Sequence, residues 1–221
     1  QVFEVEHGGG TAKLFVNAYS PLPRLLVFGA LSFADELAVL GRFLGYRVTV
    51  CDPRPAFATA QRLPAAHEVV VDRPERYLAG EAAAGRLDRR TVLAVLTHDA
   101  KFDIPLLALA LRLPVGFVGA LGSRRSHAER VRRLLALGVP ADALDRLSAP
   151  IGLDLGAVTP QETAVSIVAE IIARVRGGSG APLRGLGGPI HTRPDAAAAA
   201  GRDPVPHRPL VRAGRPVPDL Q

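Results

Sequence analysis

The sequence predicts an α/β fold in which helices flank a mostly parallel, doubly wound sheet. Short, unbroken apolar runs recur along the chain, which is typical of strands that are covered on both faces. Patterns with helical spacing separate these runs. The first run, 25–28, is followed by Gly29, and the next run is followed by Asp52, about 20 residues later. This spacing is expected when the two runs are the strands of a single β-α-β unit.

This first unit is the part of the chain that the rest is organised around. Gly29 provides the turn after the strand, and a helix is predicted from Ser32 to Leu44, with Ser32 as its N-cap. Gly45 ends the helix, and the second strand covers residues 47–51.

The remaining elements continue the alternation. Strands are predicted at 67–72, 92–96 and 115–119, and helices at 74–84, 104–113, 124–137 and 140–147. Within the helix at 124–137, Val131, Leu134 and Leu135 are expected to form the buried stripe. The last helix begins with a capping box, in which Thr159 is the N-cap and Glu162 is the third helical residue.

Composition sets the boundaries and narrows the class of protein. Residues 1–23 are interpreted as a lead-in left from a preceding domain, with an edge strand at 13–19. Residues 24–176 form the globular part, and residues 177–221, rich in Gly, Pro, Ala and Arg, are predicted to be disordered. No apolar run approaches the length of a membrane helix, and no signal peptide is visible. The single cysteine, Cys51, is expected to be buried and inert, so we expect a cytoplasmic protein.

The net charge of +6 is shared between the globular part and the tail. With only 5% aromatic residues, the chain does not have the basic, aromatic surface of a nucleic-acid-binding protein. We therefore expect neither nucleic acid nor membrane as a partner.

The first candidate site is the turn after the first strand. Gly29, Ala30 and Ser32 would offer backbone N–H groups to an anion at a helix N-terminus. Leu31, however, stands where a dinucleotide-binding turn has its second glycine. Asp52 would accept hydrogen bonds from a ribose and Arg54 would hold a phosphate; the alternative is that these two side chains simply pair with each other.

The second candidate site follows the strand at 92–96. The segment 97–103 is dense in polar residues, of which Thr97, His98, Asp99 and Lys101 are candidate ligand contacts. His98 could act as a general acid or base and Asp99 could orient it or contact a cation. Asp103 could be only a helix cap.

The third candidate site follows the strand at 115–119. Gly122 and Ser123 provide a turn and a hydroxyl, and the guanidiniums of Arg124 and Arg125 would bind phosphate oxygens. The alternative is a solvated basic helix face, since Arg130 and two further arginines follow. Further on, Asp154 is predicted to be a buried acid that needs a partner, which could be a ligand, a nearby arginine or the capped start of the last helix. No spacing of metal ligands is present.

Taken together, these residues resemble the C-terminal, Rossmann-like domain of the XdhC/CoxI family, the accessory factors of molybdenum hydroxylases such as xanthine dehydrogenase. The resemblance covers about residues 21–176 and rests on the segments 23–30, 97–103, 118–125 and 149–157. Full-length members also carry an N-terminal domain with a cysteine-containing glycine-rich loop, which has no counterpart among these residues.

The resemblance implies a chaperone that binds the pterin molybdenum cofactor, as the phosphate or the dinucleotide form, helps it acquire its terminal sulfur and delivers it to the apo-hydroxylase. A cysteine desulfurase and a second copy of the chain are further partners that it leaves open. Two alternatives come from the residues themselves. One is an NAD(P)-dependent oxidoreductase with His98 as the acid or base, and the other is a docking scaffold that uses the basic helix at 124–133 without any cofactor.

Overall fold

A computed structural model of the chain describes residues 2–7, 10–15, 21–97 and 99–187. The first compact unit, residues 1–181, contains two sheets and six helices among these residues. Its strands are β1 (Val2–His7), β2 (Gly10–Phe15), β3 (Arg24–Phe28), β4 (Arg47–Asp52), β5 (Glu68–Val71), β6 (Val92–Val95), β7 (Phe117–Ala120) and β8 (Leu147–Ser148). Its helices are α1 (Ser32–Phe43), α2 (Pro74–Ala83), α3 (Ala100–Ala110), α4 (Arg124–Ala136), α5 (Ala141–Leu144) and α6 (Pro160–Arg176).

The main sheet has six strands in the order β5-β4-β3-β6-β7-β8, and every neighbouring pair is parallel. Counted along the chain, this is the order 3-2-1-4-5-6 of the Rossmann fold, and it confirms the predicted fold class. The order reverses between β3 and β6, so a crevice at the carboxyl ends of these two strands is the expected place for a ligand.

The core lies on both faces of the sheet, as the unbroken apolar strands require. Side chains from alternate positions of β3 enter different clusters: Leu25 and Val27 pack with α1 and α6, whereas Leu26 and Phe28 pack with α2, α3 and α4. All four of these β3 side chains are at most 2% exposed. The central strand is therefore fixed from both sides, which also fixes the turn that follows it.

Most predicted elements are present, with three differences. Helix α3 begins at Ala100 and not at 104, because Asp99 caps it. Pro105, next to the predicted start, lies in the second turn of the helix. The helix predicted at 140–147 covers only Ala141–Leu144, because Leu147 belongs to the two-residue strand β8, which pairs with β7 and is too short to produce a sequence pattern. In α4 the buried residues are Arg130 and Leu134, while Leu135 is exposed.

The ends of the chain agree with the interpretation in part. Of the edge strand predicted at 13–19, residues 13–15 belong to β2, which pairs antiparallel with β1 in a separate two-stranded sheet, and residues 16–20 lie outside the described residues. Helix α6 ends at Arg176, and Gly177 follows it with positive φ. The second unit, residues 182–221, is described only to residue 187 and contains a 3-10 turn at Leu183–Gly185. Most of the predicted disordered tail lies outside the described residues.

Candidate functional site

The loops after β3, β6 and β7 lie at one edge of the sheet, because these strands are parallel neighbours. Gly29 adopts φ +111° and packs directly against the loop after β6: a Cβ at this position would lie 2.9 Å from the backbone nitrogen of Thr97. A side chain here would therefore clash with backbone, which explains the glycine. The two loops meet at the point where the strand order reverses.

The N–H groups at the start of the first turn are already used within the chain. Gly29 N–H donates to the carbonyl of Cys51 at 2.9 Å, and Ala30 N–H donates to Oδ2 of Asp52 at 2.8 Å. The N-cap of α1 is Leu31, which provides no side-chain cap, so the prediction that Ser32 is the N-cap was wrong. Ser32 is the first helical residue and is exposed, and in the same turn the N–H of Ala34 donates to the carbonyl of Leu31 at 2.9 Å.

Asp52 and Arg54 pair with each other, as the structural alternative expected. Oδ1 of Asp52 accepts from the backbone N–H and from Nε of Arg54, both at 2.9 Å. Oδ2 accepts from a terminal nitrogen of Arg54 at 2.8 Å, in addition to Ala30. Burial would raise the pKa of Asp52, but the hydrogen bonds from Arg54 and from the Ala30 N–H outweigh it and lower that pKa. The guanidinium also stacks on the ring of Phe57, 4.3 Å from its centroid.

In the loop after β6, Thr97 is buried and Asp99 is the N-cap of α3, accepting from the N–H of Lys101 at 2.9 Å. Lys101 itself is exposed, and no ion pair ties its ammonium group to the described residues. The charge of Asp99 acts on Arg54 and contributes, after the hydrogen bond and charge of Asp52, to raising the pKa of Arg54. The two polar loops thus face each other across β3. His98 lies outside the described residues.

A buried ion pair connects the loops after β6 and β7, and the sequence interpretation missed it. Arg130 is 6% exposed and its guanidinium lies 3.2 Å from Oδ2 of Asp103, which is 3% exposed. The Thr97 hydroxyl donates to Oδ1 of Asp103, and Arg130 also donates to the carbonyl of Leu121 at 3.1 Å. Asp103 is therefore not simply a helix cap, and Arg130 is not part of a solvated face. Its place on α4, one turn before the buried Leu134, was the available signal.

The third candidate site lies at the start of α4. Ser123 and Ser126 form a capping box in which Oγ of Ser123 accepts from the N–H of Ser126 at 3.1 Å and Oγ of Ser126 accepts from the N–H of Ser123 at 2.7 Å. Gly122 has φ +147°, and a Cβ there would be 2.6 Å from Oγ of Ser126. Arg124 and Arg125 follow, both exposed and without an ion-pair partner among the described residues.

The lack of an ion-pair partner among the described residues distinguishes Arg124 and Arg125 from the arginines further along α4. Arg132 and Arg133 both pair with Glu129, the latter at 2.7 Å. One terminal nitrogen of Arg130 is buried with no hydrogen-bond partner among the described residues, and it would lie 3.7 Å from a Cβ on Gly122. The edge near α4 therefore carries positive charge that the described part of the chain does not neutralise.

Asp154 is exposed, so the prediction that it is a buried acid was wrong. The reason is that the flanking residues attach the loop to α6. Ser166 donates its hydroxyl proton to the carbonyl of Leu153, and Gly152 N–H donates to Glu170 at 2.6 Å. The backbone next to Asp154 is held, while its carboxylate is left at the surface.

Other site types are not indicated by residues 21–97 and 99–187. No group of three or more His, Cys, Asp or Glu side chains lies close enough to hold a metal ion, and no helix there is both long and apolar enough to cross a membrane. A cavity of about 640 Å³ opens at the opposite, amino-terminal edge of the sheet, beside Arg24, Arg47 and Glu81. Its acids and arginines pair with each other.

The strand order and the loops at the carboxyl edge define a Rossmann-type α/β domain. Its first turn makes its hydrogen bonds within the chain, and the loop two strands away carries exposed arginines. The family model described as the XdhC Rossmann domain matches residues 25–171. The chain belongs to this family.

Named relatives and a solved structure agree with the family. The chain is 33% identical over 166 residues to a probable xanthine dehydrogenase subunit from Bacillus subtilis (strain 168), covering 75% of this chain and 47% of that protein. It is 27% identical over 157 residues to the molybdenum cofactor insertion chaperone PaoD of Escherichia coli (strain K12), covering 71% and 42%. A crystal structure of a xanthine dehydrogenase from Bacillus halodurans matches with a TM-score of 0.60 and 33% identity, covering 72% of this chain and 44% of that one. The chain thus spans less than half the length of these proteins.

Proposed function

We propose that this chain is the cofactor-binding part of an accessory protein for a molybdenum hydroxylase. It binds the pterin molybdenum cofactor, takes part in its sulfuration and delivers it to the apo-hydroxylase. The family assignment supports this role, as does the name of the relative PaoD, a molybdenum cofactor insertion chaperone. The cofactor ends in a phosphate group, so the residues at the carboxyl edge must suit an anion.

The observation that carries the proposal is the pair of exposed guanidiniums at the start of α4. Arg124 and Arg125 lack an ion-pair partner among the described residues, and they occupy the first turn of a helix, where free N–H groups and the helix dipole favour negative charge. Lys101, in the first turn of α3 after the neighbouring strand β6, adds a further cation at the same edge. Guanidiniums bind phosphate oxygens in a two-point manner, so these residues fit the phosphate of the cofactor.

The cofactor supplies the molybdenum and sulfur chemistry when it is bound, and the residues of this chain hold and orient it. Arg124, Arg125 and Lys101 neutralise the phosphate, Ser123 keeps the first turn of α4 in place, and Thr97 and Asp99 line the crevice. Cys51 is 1% exposed, and burial, together with the charges of Asp72 and Asp52, raises the pKa of its thiol to about 12. Cys51 is thus unsuited to carry the sulfur, and the proposal assigns the supply of sulfur to a partner such as a cysteine desulfurase.

The proposal is tested with the double variant Arg124→Gln/Arg125→Gln and the matched control Arg132→Gln/Arg133→Gln. Both variants remove two charges from α4, but the control arginines pair with Glu129. We expect the first variant to lose at least about tenfold in affinity for the cofactor by calorimetry, since each charged hydrogen bond contributes about 1.5–3 kcal/mol. The control should change affinity by less than about threefold. Equal losses in both variants would show that only the overall charge matters and would reject the assigned site.

A further inference from the structure

The environment of Asp52 leads to an inference about which ligands the first turn excludes. An ionised carboxylate has about four acceptor positions, two on each oxygen. In Asp52 all four are filled, three by Arg54 and one by the N–H of Ala30. Asp52 is 1% exposed, so water does not compete for these positions. The acid that would bind a ribose in this fold is therefore fully occupied.

The position of Arg54 is fixed by its own turn. The carbonyl of Arg54 accepts from the N–H groups of Phe57 and Ala58 at 3.0 and 3.1 Å, which closes the chain after β4. This turn places the ring of Phe57 against the guanidinium, 4.3 Å away. The guanidinium is thus held on one side by a carboxylate and on the other by an aromatic face, and both interactions stabilise a cation.

The neighbouring turn offers little to a pyrophosphate. The N–H groups of Gly29 and Ala30 are both used within the chain, and Leu31 occupies the position where a pyrophosphate would approach the backbone. Gly29 is in contact with the Thr97 backbone, so this part of the crevice is filled at its base. The diphosphate and the ribose of a dinucleotide would both meet groups whose hydrogen bonds are already made within the chain.

We infer that Arg54 closes the ribose subsite at Asp52, so that this domain selects a ligand with a terminal phosphate against nicotinamide and other dinucleotides. Arg54 is a specificity-determining residue, because it occupies the acceptors that a ribose diol needs. The ligand class named here rests on the proposed function, whereas the closure of the ribose subsite does not. The inference also argues against the alternative of an NAD(P)-dependent oxidoreductase.

The test measures whether replacing Arg54 allows the chain to bind a dinucleotide that the wild-type chain does not bind. NADH, NADPH and ADP-ribose are titrated separately into the wild-type chain, Arg54→Gln and Arg54→Lys by calorimetry, with thermal unfolding to establish that each variant folds. Arg62→Gln is the matched control, because Arg62 also stacks on Phe57, at 5.3 Å, and has no bond to Asp52. We expect wild type and Arg62→Gln to bind NADH more weakly than about 1 mM, and Arg54→Gln to bind at least about tenfold more tightly.

The lysine variant keeps the charge beside the buried carboxylate and so protects the fold, but an ammonium cannot reproduce the two-point contact. It should show a smaller gain than Arg54→Gln. Adding Asp52→Asn to Arg54→Gln should abolish the gain, because the released acceptor is the carboxylate itself.

Three results would overturn the inference: micromolar NADH binding by wild type, no gain in folded Arg54 variants, or NADPH binding by wild type that Arg54→Gln weakens. The last result would make Arg54 a ligand for a 2′-phosphate. If the Arg54 variants gain NADH binding while wild type fails to bind the pterin cofactor, the closure of the subsite stands and the proposed function fails.

Discussion

Arg130 and Asp103 form an ion pair in the interior of the domain, with a terminal nitrogen of the arginine 3.2 Å from Oδ2 of the aspartate. The two residues come from α4 and α3, and through them the loop after β7 is joined to Thr97 in the loop after β6. Because both proposed cofactor-binding loops depend on this pair, its integrity sets the geometry of the site. An exposed pair could not do so, since water and salt would weaken it.

Removing the buried arginine should be strongly destabilising. Arg130→Met takes one partner from a buried ion pair, and we expect a loss of about 3–5 kcal/mol in the free energy of unfolding by urea. Arg133→Met, on the same helix, breaks an exposed pair with Glu129 and should lower the free energy of unfolding far less. Similar costs for the two variants would contradict the structural role assigned to Arg130.

The contact between Gly29 and Thr97 predicts a difference between two glycines. Gly29 and Gly45 both have positive φ, but only at Gly29 would a Cβ meet backbone atoms; at Gly45 nothing lies within 4 Å. Gly45→Ala should therefore cost only the conformational strain, about 1–2 kcal/mol. Gly29→Ala should cost about 1–3 kcal/mol more, because the chain must also move apart. Chemical denaturation of both variants measures the difference, and equal costs would show that the loops after β3 and β6 are not in tight contact.

Glu81 predicts a pH-dependent contribution to stability. The hydrogen bonds from Arg86 and Arg24 lower the pKa of Glu81 from its ordinary value of 4.5 to about 2, although burial acts in the opposite direction. Because the pKa of Glu81 is lower in the folded state, its carboxylate stabilises the folded chain at pH values above 4.5. This contribution is lost as the pH falls towards 2. The stability difference between wild type and Glu81→Gln should be full at pH 7 and should shrink between pH 5 and 2.

The comparison variant for Glu81 is Glu129→Gln. Glu129 accepts from two exposed arginines, so the change should have a smaller effect on the urea midpoint at pH 7. A difference for Glu81→Gln that stays constant from pH 7 to pH 3 would mean that its carboxylate is not held by the two arginines in solution.

The single thiol gives a simple measure of whether β4 is buried. Burial raises the pKa of Cys51 to about 12, and its Sγ lies 3.5 Å from the carbonyl of Asp72. At pH 8 the folded chain should react with a thiol reagent such as dithionitrobenzoate at least about a hundredfold more slowly than the chain in denaturant, where one thiol per chain should react. Rapid labelling of the folded chain would place β4 at the surface.

Local patterns in the sequence were enough to predict much of the fold. The alternation of apolar strands and helices predicted the parallel sheet. The capping box of α6 is also confirmed: Oγ1 of Thr159 accepts from the N–H of Glu162, and the Glu162 carboxylate accepts from the N–H of Thr159 at 2.8 Å. These signals lie within a few residues of one another. The ion pair of Arg130 could not be found in this way, because its partner Asp103 is 27 residues away and the nearby Arg132 and Arg133 are exposed.

The candidate site shows the same limit. The sequence placed Gly29, Asp52 and Arg54 at the carboxyl edge of the sheet, where the structure has them, since the carboxyl ends of parallel strands must meet there. It left open whether Asp52 faces a ligand or Arg54, because that depends on how a single turn folds after β4. The assignment of Asp154 as buried failed because the attachment of its loop to α6 through Ser166 and Glu170 is a tertiary contact.

The central claim, that this chain itself holds the pterin molybdenum cofactor, is tested most directly by anaerobic calorimetric titration of the wild-type chain with that cofactor. We predict saturable binding of one cofactor per chain with a dissociation constant of about 1 μM or lower, weakened by added inorganic phosphate, which competes for the same arginines. Absence of binding by a chain that unfolds cooperatively, or binding that phosphate leaves unchanged, would contradict the claim.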